Sequence, residues 1–403
     1  MANSALSLHG PIGVQDNRNE LINGDFNIWQ RGLTVGVSLT GGGDSLTRTQ
    51  NSFIADRWRI YSQAVSGVTA PPLKATRALM PLGFPSGADR ASKWYLNILV
   101  GNTTDDMGNS FKDYGGFTGA GSTTNGTFTA LVQDIGDVNT LEGKTCILSF
   151  WAKSDITNQR VAPVLKQCFA GRTAGDTPSL IKGSTGNIGF TLDNTWRQYK
   201  TSFNVPSVEG QPAVGTSGDD ALQVQLVLHS NGVHGATIEL GGPLHVGGTG
   251  NISFSQIQLE QGSKSTEFDK TNPVTEVALC QRYYEKTYDM ETALGTDTGF
   301  AGGIRAATDP SINNTCHQST TFMTPKRAQP TVVLYSKDGT TGSVFPKHSA
   351  NYQGTNQPAT AGGISESGIA IIVTDNDLGN HTGGDTLIVY HYTADAELSV
   401  ETN

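Results

Sequence analysis

The sequence predicts an all-β chain: an antiparallel jelly-roll sandwich, then a short linking helix and a smaller C-terminal β-domain. Three observations carry this. Apolar residues recur at every second position in many short runs, which is the period of a half-buried strand. Of 403 residues, 49 are Gly and only 16% are charged. That balance suits short strands joined by many turns, whereas long helices draw on more Ala, Leu, Glu and Lys. Finally, residues 251–288 divide the chain, passing from strand alternation through a polar run at 260–270 to a helix start at Asn272-Pro273.

Taken in order, residues 1–20 show little apolar periodicity and read as an N-terminal attachment arm. The sandwich is expected over 21–270. Asn23-Gly24 suits a tight turn because both residues tolerate positive φ, and residues 56–61 read as a strand with alternate faces. Trp94, Leu96, Ile98 and Val100 share one face of the next strand. A long Gly-, Thr- and Asn-rich span follows at 101–126, carrying Tyr114 and Phe117. Spans of that length are usually functional or mobile. Further alternating sets are Cys146, Leu148, Phe150 and Ala152; Tyr199, Thr201, Phe203 and Val205; Leu222, Val224, Leu226 and Leu228; and Ala236, Ile238 and Leu240. Many such strands closed by a late one at Ile252 describe a jelly roll.

In that closing strand the apolar phase slips by one residue at Ser255-Gln256, which predicts a β-bulge. Val277, Cys280 and Tyr284 follow at helical spacing, so a linking helix of about three turns is expected within 271–290. The remainder, 291–403, reads as the second β-domain, with strands at 331–337, 369–374 and 386–393.

A net charge of −9 disfavours nucleic acid as a partner, since binding phosphate backbones depends on Lys and Arg. No apolar run approaches the roughly 18 residues a membrane span needs, and MANSALSLHG lacks the charged-then-apolar order of a secretory signal, so neither membrane insertion nor secretion is expected. Cys146, Cys168, Cys280 and Cys316 are widely spaced without a CxxC or Cys/His cluster and read as buried thiols.

The series LINGDFNIWQRG (21–32), ADRWRIY (55–61), LEGKTCILSFWAKS (141–154), TWRQYKTSFNVP (195–206) and ISFSQIQLEQGSKSTEFD (252–269) resembles the carbohydrate-binding-module-like jelly roll of phage tail fibre and virion appendage proteins. VTEVALCQRYYEKTY (274–288) and HYTADAEL (391–398) resemble the junction and terminus that such proteins carry. The resemblance implies a structural virion protein in a tail fibre or baseplate appendage, made in the host cytoplasm and directed at a host cell-surface glycan. It also implies a homotrimer, mounted on other tail or capsid proteins through residues 1–20. A capsid-attached head fibre or decoration protein is the alternative, and a polysaccharide-degrading tail enzyme the lesser rival.

Sugar recognition needs flat aromatic faces with amides or carboxylates nearby. Trp94, Tyr95, Tyr114 and Phe117 are the expected contacts, being in or beside the 101–126 span. Trp94 also shares a face with Leu96 and Ile98, which favours core packing for it. Trp29, Trp58 and Trp151, embedded in strand patterns, read as core. Asp375-Asn376-Asp377 clusters hard oxygens beside Gly379, but the twelfth position of an EF-hand would fall on Thr386, so the segment reads as a solvated turn and no metal is expected. No GxSxG, HExxH or GxxxxGK[ST] motif occurs, and His229, His234 and His245 fall at strand ends and turns. The expectation is a protein without catalytic residues or cofactor.

Overall fold

The computed structural model describes residues 18–37, 48–64, 73–81, 84, 92–101, 127–169, 179–182, 189–210, 220–230, 248–307, 315–316, 319–347, 355–374 and 387–398. The first part contains β1 (Thr34–Val37), β2 (Arg48–Phe53), β3 (Arg59–Ala64), β4 (Leu73–Leu79), β5 (Trp94–Val100), β6 (Thr127–Gly136), β7 (Thr145–Ser154), β8 (Arg160–Cys168), β9 (Ser179–Lys182), β10 (Phe190–Thr191), β11 (Arg197–Asn204), β12 (Ala221–Ser230) and β13 (Gly250–Gln261). They form two antiparallel sheets, one in the order β1-β4-β5-β13-β7-β11 and the other in the order β10-β8-β12-β6-β3-β2, with β9 beside β8. This is the predicted jelly-roll sandwich. Between the sheets lie the alternating residues read from the sequence, including Leu96, Ile98, Leu148, Phe150, Leu222, Val224, Leu226, Ile252 and Phe254, together with fully buried Trp29 and Trp58.

The phase slip in β13 is a bulge. Ser255 pairs with Trp151 and Gln258 with Ser149, so three steps along β13 match two along β7, and Gln256 adopts φ +52°. The extra residue returns Ile257 and Leu259 to the core; an unbulged strand would turn both outward. β5 pairs with β13 only as far as Phe254. Beyond the bulge the same edge is taken by the start of the described chain. The Glu20 amide donates to Leu259 O at 2.9 Å, and the Ile257 amide to Gly24 O at 2.8 Å. Asn19 accepts from the Leu259 amide at 3.0 Å and donates to Ile257 O at 3.2 Å. Residues 18–20 are thus docked on the sandwich, and the proposed arm falls, over 1–17, outside the described residues.

Two local readings change. The Asn23-Gly24 turn forms, with the Phe26 amide donating to Asn23 O at 3.1 Å and Asn23 at φ +57°. Glycine is needed there for close approach rather than for φ, because a Cβ on Gly24 would sit 2.1 Å from Ile257 O. The strand expected over 56–61 begins only at Arg59, because Arg57 adopts φ +71° in a turn.

The second part contains α1 (Pro273–Gln281), β14 (Tyr284–Lys286), β15 (Ile304–Ala307), β16 (Thr315–Cys316), β17 (Thr320–Thr321), β18 (Thr331–Ser336), β19 (Ser343–Lys347), β20 (Gln357–Gly362), β21 (Gly368–Ile369), β22 (Ile371–Thr374) and β23 (Leu387–Asp395). Asn272 caps α1 by accepting from the Val274 amide at 2.9 Å, with Pro273 in the first turn. The helix is shorter than the spacing suggested. Tyr284 leaves the helical row because it begins β14, which pairs with β23. The last strand, β23, organises this part, hydrogen-bonding to β14, β15, β18 and β19 around a separate core of Leu334, Val344, Ile372, Ile388, Tyr390 and Tyr392. Cys146, Cys168 and Cys280 are buried and form no disulfide, as expected, and the side chain of Cys316 lies outside the described residues.

The two parts meet in a buried ionic joint. Arg57, 2% exposed, pairs with Glu397 and lays its guanidinium 3.4 Å from the centroid of the Tyr283 ring. Arg31 pairs with Asp395 at 3.0 Å and Glu397 at 3.3 Å and stacks 3.6 Å from the Tyr284 ring centroid. Gln30 donates to Asp56 at 2.9 Å and to Tyr284 O at 2.7 Å, and the Ala396 amide donates to Tyr283 O at 2.7 Å. The segments 21–32, 55–61, 274–288 and 391–398, which carry much of the family resemblance, therefore converge here.

Candidate functional site

The outer face of the first sheet carries a group of half-buried aromatic rings. On β7, Phe150 and Ala152 point into the core, so alternation turns Trp151 and Lys153 outward. On β5 the same rule turns Tyr95 and Asn97 outward, on either side of the core residue Leu96. Trp196 stands one residue before Arg197, whose register partner is Ala152, which places it beside Lys153. Phe84 completes the group. Its ring lies edge-on to Trp151 at 5.0 Å and tilted against Trp196 at 5.2 Å, while Tyr95 meets Trp196 edge-on at 5.2 Å. Contacts of this offset and T-shaped kind hold the rings in place relative to one another. The Trp196 Nε1 hydrogen is sheltered from solvent and has no partner among the described residues.

A polar ladder runs beside the rings. Asn97 pairs across strands with Ser253, and Ser253 with Lys153. The Ser253 hydroxyl donates to Asn97 Oδ1 at 2.9 Å, Asn97 Nδ2 donates to Asn251 Oδ1 at 2.9 Å, and Asn251 Nδ2 donates to Asp155 Oδ2 at 2.8 Å. The Lys153 ammonium lies 5.2 Å from the Trp196 ring centroid and 5.9 Å from that of Tyr95. Together these make a platform of apolar rings bordered by amide, hydroxyl, carboxylate and ammonium groups. Its chemistry suits a ligand with C–H faces and many hydroxyls.

Of the residues singled out from the sequence, Tyr95 belongs to this platform. Trp94 faces the other way, at the end of its strand, half-buried beneath Arg77 and Lys93 at 4.1 and 5.1 Å from the ring centroid. Arg77 in turn pairs with Glu291 of the second part. Tyr114 and Phe117 lie outside the described residues, as do His234, His245 and the turn at 375–377. Trp29 and Trp58 are core, as expected, but Trp151 is on the outer face. Phe84 and Trp196 were not singled out. The signal that finds Trp151 is an aromatic in the polar phase of a strand; Trp196 and Phe84 flank strands and give no such sign.

A second concavity sits where residues 19–28 meet the start of α1, lined by Asn19, Asp25, Phe268, Asp269, Thr271 and Glu276 among others. Its carboxylates serve the backbone: the Asn23 amide donates to Glu276, and the Arg18 amide to Asp269 at 2.9 Å. Among the described residues no group of three or more His, Cys, Asp or Glu side chains is placed to hold a metal ion. Burial, and then the charge of Glu276, pushes Asp25 up to about 6. An acid raised on folding binds its proton more tightly in the native state, so stability falls as pH rises from the ordinary Asp range through about 6. Asp25→Asn should therefore be more stable than the parent at pH 7, by on the order of 3 kcal/mol at about 1.4 kcal/mol per pKa unit, and equal to it near pH 3. Urea unfolding at both pH values checks this; a difference that ignores pH would contradict it.

No protein-family model matches the chain, and no curated protein matches it. Solved structures of similar shape exist. The family 11 carbohydrate-binding module of a cellulosomal cellulase of Clostridium thermocellum is 13% identical, covers 55% of this chain and 99% of its own, and gives a TM-score of 0.26. A family 30 carbohydrate-binding module is 10% identical, with coverage of 53% and 85% and a TM-score of 0.24. A Stig cyclase from Fischerella is 9% identical, with coverage of 60% and 96% and a TM-score of 0.27. The neighbours thus include carbohydrate-binding modules with jelly-roll folds, alongside an enzyme. At these scores the likeness carries nothing about ligand or activity, and the residues of the platform must speak for themselves.

Proposed function

We infer that this chain is a non-enzymatic, glycan-binding structural protein of a phage virion appendage, a tail fibre or baseplate component that meets the host surface. The observation that supports the glycan-binding part is the outer-face platform of Phe84, Tyr95, Trp151 and Trp196 beside Asn97, Asn251 and Asp155. Rings of this size supply C–H contact area, and the neighbouring amides and carboxylate supply hydroxyl partners. The virion part rests on the ordered series of sequence segments given above, as does the homotrimer. Residues 1–17, which precede the docked segment, are the stretch proposed to mount the protein on tail or capsid.

The test is binding of the whole chain to host-surface polysaccharide by glycan array and calorimetry. Trp151→Ala and Trp196→Ala should each weaken binding about 10- to 30-fold, the loss of about 1.5–2 kcal/mol typical of an aromatic contact. The melting temperature should change little, because both rings sit on the outer face. Unchanged binding in both variants would move the contact surface elsewhere. Release of reducing ends from the same polysaccharide would replace the non-enzymatic reading with a hydrolytic one.

A further inference from the structure

We propose that the platform selects an acidic saccharide, one carrying a carboxylate on the sugar ring that rests against the aromatic group, with Lys153 as the residue that reads the charge. This rests on the saccharide-platform reading above. Lys153 stands in the middle of the cross-strand row Asn97, Ser253, Lys153, with Trp196 beside it. Among the described residues no carboxylate pairs with it; its ammonium is held only by the rings of Trp196 and Tyr95. An ammonium without a counter-charge inside an aromatic group is a place where an anion gains most, since the rings lower the local dielectric.

The surrounding charges agree. Alternation places Lys74 and Lys200 on the same outer face, each between core residues of its strand. Two carboxylates share that face and keep their charge: Asp155, which accepts from Asn251 at 2.8 Å, and Glu260, which accepts from Thr266 at 2.7 Å beyond the bulge. The Arg197–Asp193 pair at the rim, 2.8 Å, is neutral as a unit. On that face Lys74, Lys153 and Lys200 outnumber Asp155 and Glu260 by one, on a chain of net charge −9. At physiological salt, charges beyond about 8 Å are largely screened, so Lys153 itself, rather than Lys74 three strands away, decides what the rings meet.

The geometry also fixes where the ligand's charge must be. With the ammonium 5.2 and 5.9 Å from two ring centroids, a sugar resting on either ring reaches Lys153 through substituents of that same sugar. A uronic acid carries its carboxylate directly on the ring. A phosphodiester places its charge between residues, away from the stacked ring.

The experiment is calorimetry of the full-length chain and of Lys153→Met and Trp196→Ala against oligogalacturonate and oligoglucuronate, each paired with its neutral methyl ester, and against a phosphodiester-linked and a sulfated saccharide. The parent should bind at least one free acid tenfold or more tighter than its ester, with an advantage that shrinks in high salt. Lys153→Met should abolish the preference, so that acid and ester bind equally, whereas Trp196→Ala should weaken both. Equal binding of acid and ester, with both lost in Trp196→Ala, overturns the acidic preference and leaves the platform standing. Binding to none of the saccharides overturns the preference and counts against the platform as well. Stronger binding to the phosphodiester or sulfated saccharide overturns the ring-carboxylate assignment.

Discussion

Replacing Arg57 by Met should lower the unfolding free energy by about 3–5 kcal/mol, the range for breaking one side of a buried ion pair. The guanidinium is 2% exposed, and its partner Glu397 has a side chain equally hidden from solvent. Methionine keeps most of the apolar contact with Tyr283, so the loss reports the charge. What remains is a carboxylate shared with Arg31 alone at 3.3 Å, in a site that water does not reach. Glu397→Gln should cost a comparable amount by leaving Arg57 without its anion, while Arg31 keeps Asp395 at 3.0 Å. The double variant Arg57→Met with Glu397→Met should recover part of the loss, because removing both charges also removes the cost of dehydrating them. Urea unfolding followed by circular dichroism measures all three. A single-variant loss below 1 kcal/mol would mean that the joint does not hold the two parts together.

Gly24→Ala should destabilise by about 3 kcal/mol or more, an unusually large effect for one methyl group. The new Cβ would stand 2.1 Å from Ile257 O, and the atom in its way is backbone in the bulge of β13. Neither side can yield cheaply, because the Ile257 amide already donates to Gly24 O at 2.8 Å. Gly36 in β1 provides the contrast: a Cβ there meets nothing within 4 Å. Gly36→Ala should stay within about 1 kcal/mol of the parent. If the two substitutions proved equally mild, the tight seating of residues 19–24 on the bulge would be refuted.

The strands were legible in the sequence wherever one face was greasy and the other polar. Residues 94–100 and 222–228 show this, and so does the slip at Ser255-Gln256, since a phase error in a period of two has few physical causes besides a bulge. Asn272-Pro273 was legible because capping is local chemistry. The run DRWRIY misled for a related reason. Trp58 and Ile60 both face the core and imitate alternation, while Arg57 at φ +71° shapes a turn whose charge is answered from position 397. That partner is invisible to any window along the sequence. The platform escaped for the same reason. Its members come from residue 84, β5, β7 and the approach to β11, and register rather than spacing brings them side by side.

The joint has a consequence for how the molecule comes to be made. Arg57 leaves the ribosome hundreds of residues before Glu397, and until that carboxylate arrives its guanidinium has the Asp134 carbonyl but no anion paired with it. The joint cannot close until residues 391–398 have been made. Copies broken off short of Glu397 would keep a buried-site cation without its counter-charge.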